Sequence, residues 1–224
     1  LVYTIKELCR TCYTCVRECP ARAIRIVGGQ AEVITERCIA CGNCTKVCSQ
    51  GAKVFVNTVD LARKLLARPG KKAALVAPSF PAEFHDVTDH KSVVGMIRAL
   101  GFDYVAEVSF GADLVAHRYR NLISEAGTKN YISSDCPAIV SFIRFYHPGL
   151  TPELIPVVSP MVAMTRVMRK KYGENLSVVF IGPCVAKKAE TAEVDAALTF
   201  IELREMLEGS GITPGTAKPS EFDP

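Results

Sequence analysis

Ten cysteines occur in 224 residues, and eight of them lie between Cys9 and Cys48. They repeat one spacing: Cys9, Cys12, Cys15 and Cys19-Pro20, then Cys38, Cys41, Cys44 and Cys48, with the proline kept only in the first copy. Three thiolates at i, i+3 and i+6 wrap one corner of a compact iron–sulfur cube. The fourth cysteine of such a run reaches the other cube, so two runs hold two 4Fe–4S clusters. Cross-ligation groups Cys9, Cys12 and Cys15 with Cys48, and Cys38, Cys41 and Cys44 with Cys19. Zinc takes four ligands, usually from two C-x2-C knuckles rather than from interleaved quartets. A disulfide framework suits a small secreted domain, whereas the rest of this chain holds only two separate cysteines, Cys136 and Cys184.

The elements around the runs are short. Ala23-Ile24-Arg25-Ile26-Val27 and Ala31-Glu32-Val33-Ile34 flank Gly28-Gly29-Gln30, which reads as a hairpin with a Gly-Gly turn. The segment after Cys41 has room for one or two helical turns. In these features the chain resembles the bacterial two-cluster ferredoxin over residues from about 5 to 56.

At 49% apolar residues, the chain can bury a core and has room for two units. No run of about eighteen apolar residues appears, so no membrane span is expected. The chain starts at Leu1 rather than Met and without a signal-peptide pattern, which reads as an excerpt of a longer protein. Thiolates committed to iron point to a reducing compartment, the cytoplasm of an anaerobe. The formal net charge is +4, and residues 1–56 carry all of it, with eight Lys and Arg against four Asp and Glu. Two oxidised cubanes, at about −2 each, roughly cancel that excess. No basic run interleaved with aromatics follows, which argues against a nucleic-acid partner.

From residue 57 onward, strand and helix signals alternate. Apolar runs at 73–77, 104–108, 131–133 and 176–181 read as four strands. Helices are expected from Asn57 or Thr58 to Arg68, near 90–100, over 112–126, from Pro137 to about Tyr146, and from Pro160 to Gly173. A last one opens on the capping box Thr199-Phe200-Ile201-Glu202. Met161, Met164 and Met168 keep helical spacing and read as a core stripe. The expected fold is therefore an α+β ferredoxin-like small domain, residues 1–56, followed by an α/β domain with a mainly parallel sheet, residues 57–224. No glycine-rich phosphate loop appears, so a flavin or nicotinamide has no support. His85, His90, His117 and His147 show no ligand spacing with any cysteine.

That pattern puts Cys136 after the third expected strand and Cys184 after the fourth, at one carboxyl edge of a parallel sheet. Pro78 and Phe110 end the other two strands and are expected to line the same crevice. Position alone leaves two readings of these cysteines, as ligands or as buried structural thiols. The local motifs separate them. Ser133-Ser134-Asp135-Cys136-Pro137-Ala138-Ile139 resembles the T-S-C-C-P-x-W segment of iron-only (FeFe) hydrogenases. Gly182-Pro183-Cys184-Val185-Ala186-Lys187-Lys188-Ala189-Glu190 is similar to their P-C-x-x-K-x-x-E segment, and Phe110-Gly111-Ala112-Asp113-Leu114 matches the family at its place between the ferredoxin-like part and the first of these motifs.

The resemblance implies a third 4Fe–4S cluster joined to a two-iron centre carrying CO and cyanide. Cys136 and Cys184 would be two of its four cysteine ligands, and Lys187 would donate a hydrogen bond to a cyanide. The other reading of Lys187 is an exposed member of a Lys-Lys pair. Asp135 stands where the family has its proton-carrying cysteine, with a solution pKa near 4 rather than 8.5. Tyr119 and Leu122 fall where the family's route continues through glutamates, and Ile139 replaces the tryptophan. The family's E-x-M-x-C-x3-C segment does not occur before Pro224, and residues 209–224 read as an incomplete connection. Three functions follow: a divergent hydrogenase-like protein that senses hydrogen or turns it over slowly, a non-catalytic electron-transfer protein, and a scaffold in iron–sulfur assembly. The expected partners are a ferredoxin-like redox protein or a downstream signalling domain, with hydrogen and protons as ligands.

Overall fold

The computed structural model describes residues 1–223 apart from Ala126, Thr128 and Thr191. The chain begins with β1 (Val2–Thr4), α1 (Thr14–Arg17), β2 (Ile24–Val27), β3 (Gln30–Val33), α2 (Asn43–Lys46) and β4 (Lys53–Phe55). Next come α3 (Val59–Ala67), β5 (Lys72–Val76), α4 (Phe80–Glu83), α5 (His90–Ala99), β6 (Tyr104–Glu107) and α6 (Ser109–Glu125). Ala126, to which the sequence extends this last helix, lies outside the described residues. The remainder is α7 (Pro137–Tyr146), α8 (Pro160–Tyr172), β7 (Ser177–Gly182), β8 (Ala196–Thr199) and α9 (Phe200–Gly209).

The chain divides into two units. One holds residues 1–56 together with 132–155 and 184–189, and the other holds 57–131, 156–183 and 190–224. The sequence draws a single boundary after residue 56, but two later segments, carrying Cys136 and Cys184, belong with the first unit.

In the first unit β1 pairs antiparallel with β4, placing Thr4 opposite Lys53. The Gly-Gly hairpin forms as expected, with β2 and β3 antiparallel and Ile24 opposite Val33. Gly28 and Gly29 have φ of 54° and 76°, the left-handed pair that a two-residue hairpin turn needs. Tyr146, at the end of α7, donates its hydroxyl to the carbonyls of Ala21 and Arg37, fastening that helix to the cysteine loops.

The second unit is built on a parallel sheet in the order β6-β5-β7-β8. In β5, Ala73 to Val76 are at most 1% exposed, so the strand is covered on both faces and reads as a continuous apolar run. Helices α3 and α9 pack on each other and on β8, α8 packs on β5, and α6 on α8. Met161, Met164 and Met168 of α8 are core residues, as the stripe predicts. The capping box also forms: the Thr199 hydroxyl accepts from Glu202 N, and Glu202 Oε2 accepts from Thr199 N at 2.7 Å.

One expectation is corrected. Residues 131–133 make no sheet strand. Ile132 forms only an isolated parallel bridge to Leu154, because its backbone bonds go to Glu153 and Ile155 within the first unit. The fourth strand is instead β8, an Ala-Ala-Leu-Thr run whose small residues carry little strand signal and merge with the helix cap. The segment after α9 packs on the second unit. Asp223 N donates to Val105 O at 2.8 Å, and Arg98 binds the Asp223 carboxylate at 2.6 Å. The backbone passes so close to α5 that a Cβ on Gly95 would lie 2.2 Å from Lys218 O.

Candidate metal centre

The two cysteine runs fold into matching loops. Thr11 and Ala40, Tyr13 and Gly42, and Arg22 and Gly51 occupy equivalent places, and all six have positive φ. Left-handed backbone costs an ordinary L-residue about 1 kcal/mol or more, so four non-glycine residues held there mark loops whose shape is over-determined. The turn at Tyr13 leads into α1 and places Cys15 in its first turn, and the turn at Gly42 does the same for Cys44 in α2.

These loops enclose two hollows. One, of about 360 Å³ including its mouth, is lined by Cys9, Cys12, Cys15 and Cys48. The other, of about 340 Å³, is lined by Cys19, Cys38, Cys41 and Cys44. Each quartet thus mixes three cysteines of one run with the fourth of the other, the grouping that the spacing calls for. All eight thiols are free of disulfides. Among the described residues no group of three or more Cys, His, Asp or Glu closes on a single metal ion. Four thiols lining each hollow fit a polynuclear cluster. Backbone donors already aim at sulfur: Ala23 N lies 3.2 Å from Cys19 Sγ and Ala40 N 3.4 Å from Cys38 Sγ. Such bonds favour the thiolate that iron requires.

The thiols are not electrostatically alike. The Thr14 side chain and backbone bonded to Cys12 draw its pKa below the usual thiol value. Burial pushes Cys15 up, and pushes Cys44 up to about 11, with the Lys53 ammonium opposing the rise in both. Iron binding at the deeper sites must therefore expel protons.

The structure also locates the second set of candidate residues. Cys136 is the N-cap residue of α7, and Cys184 immediately precedes a 3-10 helix, Val185–Ala189; both are exposed. The absence of a strand at 131–133 means that Cys136 is not at a sheet edge, whereas Cys184 does follow β7. The two segments are nevertheless joined, because Lys187 Nζ donates to the backbone carbonyl of Asp135 at 2.9 Å. The Asp135 carboxylate accepts from the Ser133 hydroxyl at 3.1 Å. Ala138 and Ala186, each two residues beyond a cysteine, form one small core with Ala21, Ala23 and Ile39, against which Cys19, Cys38 and Cys41 pack. The stretches bearing Cys136 and Cys184 thus lie against the second quartet. Pro78, just after β5, and Phe110, in the first turn of α6, are read as pocket residues from the sequence; both are exposed in the second unit.

Two contributors escape sequence reasoning. Gly42 faces Val185, and a Cβ there would lie 3.3 Å from Val185 Cβ, so glycine lets the Cys184 segment approach. Lys53 is buried beside the first hollow. Neither belongs to a motif; only the tertiary pairing reveals them.

No helix is long and apolar enough to cross a membrane among the described residues. Comparison with known proteins finds the C-terminal domain of the iron-only hydrogenase large subunit over residues 71–224 and a 4Fe–4S dicluster domain over residues 1–49. The chain is 27% identical over 221 residues to the NADP-reducing hydrogenase subunit HndD of Solidesulfovibrio fructosivorans, covering 83% of this chain and 38% of that protein. It is 24% identical over 183 residues to the cytosolic Fe-S cluster assembly factor NAR1 of Yarrowia lipolytica, covering 72% of this chain and 37% of the relative. Among solved structures, the [FeFe]-hydrogenase HydA(deltaEFG) aligns with a TM-score of 0.62 at 26% identity, over 75% of this chain and 51% of that one. The chain therefore spans about half or less of the length of the proteins it matches. With a family match over more than half its length and cysteine hollows that suit iron–sulfur clusters, this chain belongs to the iron-only hydrogenase large-subunit family, whose relatives include hydrogenases and Fe–S assembly factors.

Proposed function

We infer that this chain is a redox member of the family that holds two 4Fe–4S clusters, on Cys9, Cys12, Cys15 and Cys48 and on Cys19, Cys38, Cys41 and Cys44. Bound there, the clusters supply one-electron transfer to or from a hydrogenase-type metal site in which Cys136 and Cys184 are ligands. The observation that carries this reading is the shared core of Ala138 and Ala186 with Cys19, Cys38 and Cys41 packed against it, which brings both segments beside one hollow. Lys187 bonded to Asp135 O holds the two segments in register. The residues needed to complete a third cluster and a two-iron CO/cyanide centre are not among these 224.

Asp135, in the place of the family's proton-carrying cysteine, favours hydrogen sensing or slow hydrogen turnover over fast catalysis. A carboxylate is costlier to desolvate as an anion than a neutral thiol is, so the exchange changes the group offered for proton transfer. The partners that fit are a ferredoxin-like redox protein in a reducing cytoplasm, or a signalling domain elsewhere in the same protein. Infrared spectroscopy of the protein purified anaerobically from its own host tests this. Bands in the CO and cyanide stretching region, together with cluster reduction under hydrogen, are the expected result. Intact clusters with neither property would leave a non-catalytic electron carrier.

The likeness to NAR1 supports a second reading, a scaffold in iron–sulfur assembly. It requires clusters that leave for an apo-acceptor protein; clusters that remain through a transfer assay exclude it.

A further inference from the structure

Lys53 is a lysine in an unusual place. It is 3% exposed, on β4, and its ammonium donates to Thr4 Oγ1 at 2.5 Å and to Ala31 O at 3.2 Å. Thr4 in turn donates its hydroxyl to the same Ala31 carbonyl, so both acceptors are neutral and fixed by the strand pairing of Thr4 with Lys53. None of the ion pairs among the described residues includes Lys53. Burying an ammonium without a counter-ion costs several kcal/mol, and neutral acceptors offset only part of that. A chain tolerates such a group where an anion is due to arrive.

The neighbours say which anion. Lys53 lines the hollow of Cys9, Cys12, Cys15 and Cys48. Ala31, whose carbonyl holds the ammonium, belongs to one small core with Cys15, against which Cys9, Cys19 and Cys44 pack, so the Lys53 charge is fixed beside cysteines of both quartets. One buried cation thus lies within electrostatic reach of both hollows, shielded from salt. The other basic residues of the first 56, such as Arg10 at the rim of the first hollow, are exposed and screened.

We propose that Lys53 is a fixed internal counter-charge shared by the two cysteine hollows, raising the reduction potential of the cluster held in each. This rests on the two-cluster reading above. Each cluster takes one electron from the reductant and becomes more negative by one charge, and Lys53 keeps its proton throughout. A positive charge in a weakly polarisable interior favours that added electron. Because the same ammonium serves both sites, one substitution moves two potentials, which an exposed rim charge does not do.

The test uses the whole chain, reconstituted anaerobically, checked for about eight irons, and titrated with dithionite under electron paramagnetic resonance. In Lys53→Met both clusters become harder to reduce, each by about tenfold in its one-electron equilibrium, or ~59 mV. Lys53→Arg restores both. Arg10→Gln gives a small, salt-dependent shift in the first cluster alone. Should Lys53→Met fail to retain its iron, Lys53→Gln is titrated instead, since its amide still offers a donor to Thr4 and Ala31. Loaded variants whose potentials match wild type, or in which only one cluster shifts, overturn the proposal. A wild-type chain that never loads two clusters overturns the two-cluster reading, and this proposal with it.

Discussion

Cys12 and Cys44 both sit within C-x2-C spacings of different quartets, yet their thiols differ because one is exposed beside Thr14 and the other is more deeply placed. In the iron-free chain, iodoacetamide at pH 8 should therefore modify Cys12 well before Cys44, as peptide mapping would read; equal rates would contradict the structure. The same difference affects stability. Cys44 titrates near 11 when folded, against 9.0 for the ordinary thiol, so the unfolded chain loses its proton first as pH rises. The stabilisation is present below pH 9 and lost as pH climbs towards 11. Thermal melts of the chelator-stripped chain across that window should show a falling midpoint. Crosswise grouping makes a sharper demand. Cys48→Ser should cost the cluster of Cys9, Cys12 and Cys15, leave the other, and halve the iron content; loss of the second cluster instead would refute the grouping. These cysteines were legible because ligand spacing is local. Lys53 was not, because its burial depends on Thr4 and Ala31, which meet it only through strand pairing.

At the level of elements, turn chemistry and caps were the readable features. The Gly28-Gly29 hairpin and the Thr199-Glu202 capping box each depend on residues two or three apart, and each forms as written. Strand membership was harder, since an apolar triplet such as Tyr131-Ile132-Ser133 carries no information about which partner it will find. Here Ile132 met Leu154 and left the sheet to β8. Gly42 shows the same limit: its positive φ is a local matter, its approach to Val185 is not. Gly42→Ala combines left-handed strain with a 3.3 Å contact, so it should destabilise the folded chain by about 1–2 kcal/mol, seen as a lowered Tm. At the matching position of the first loop, Tyr13→Gly relieves the same strain at φ 62°. Its Tm should stay within a few degrees of wild type. If Gly42→Ala costs no more than the left-handed strain alone, the Val185 contact has no role.

For the molecule as a whole, the class of each unit was readable from the alternation of signals, while their membership was not. Residues 132–155 and 184–189 leave the parallel-sheet unit to join the cysteine loops, and nothing in their periodicity announces it. That placement gives Asp135 a functional test at this scale. In the protein matured in its own host, Asp135→Cys should raise hydrogen turnover, measured as hydrogen evolved from a chemical reductant, by at least tenfold. Unchanged turnover would remove Asp135 from the proton route.

The crossed quartets also bear on how the chain is made. During synthesis Cys9, Cys12 and Cys15 have no complete hollow to enter until Cys48 appears. The second hollow already has Cys19 in hand and is complete as soon as Cys44 emerges. The site built mainly from the later half is thus finished before the one built mainly from the earlier half. For most of that interval the nascent thiols stand open to oxidation, which places the demand for a reducing environment at translation itself.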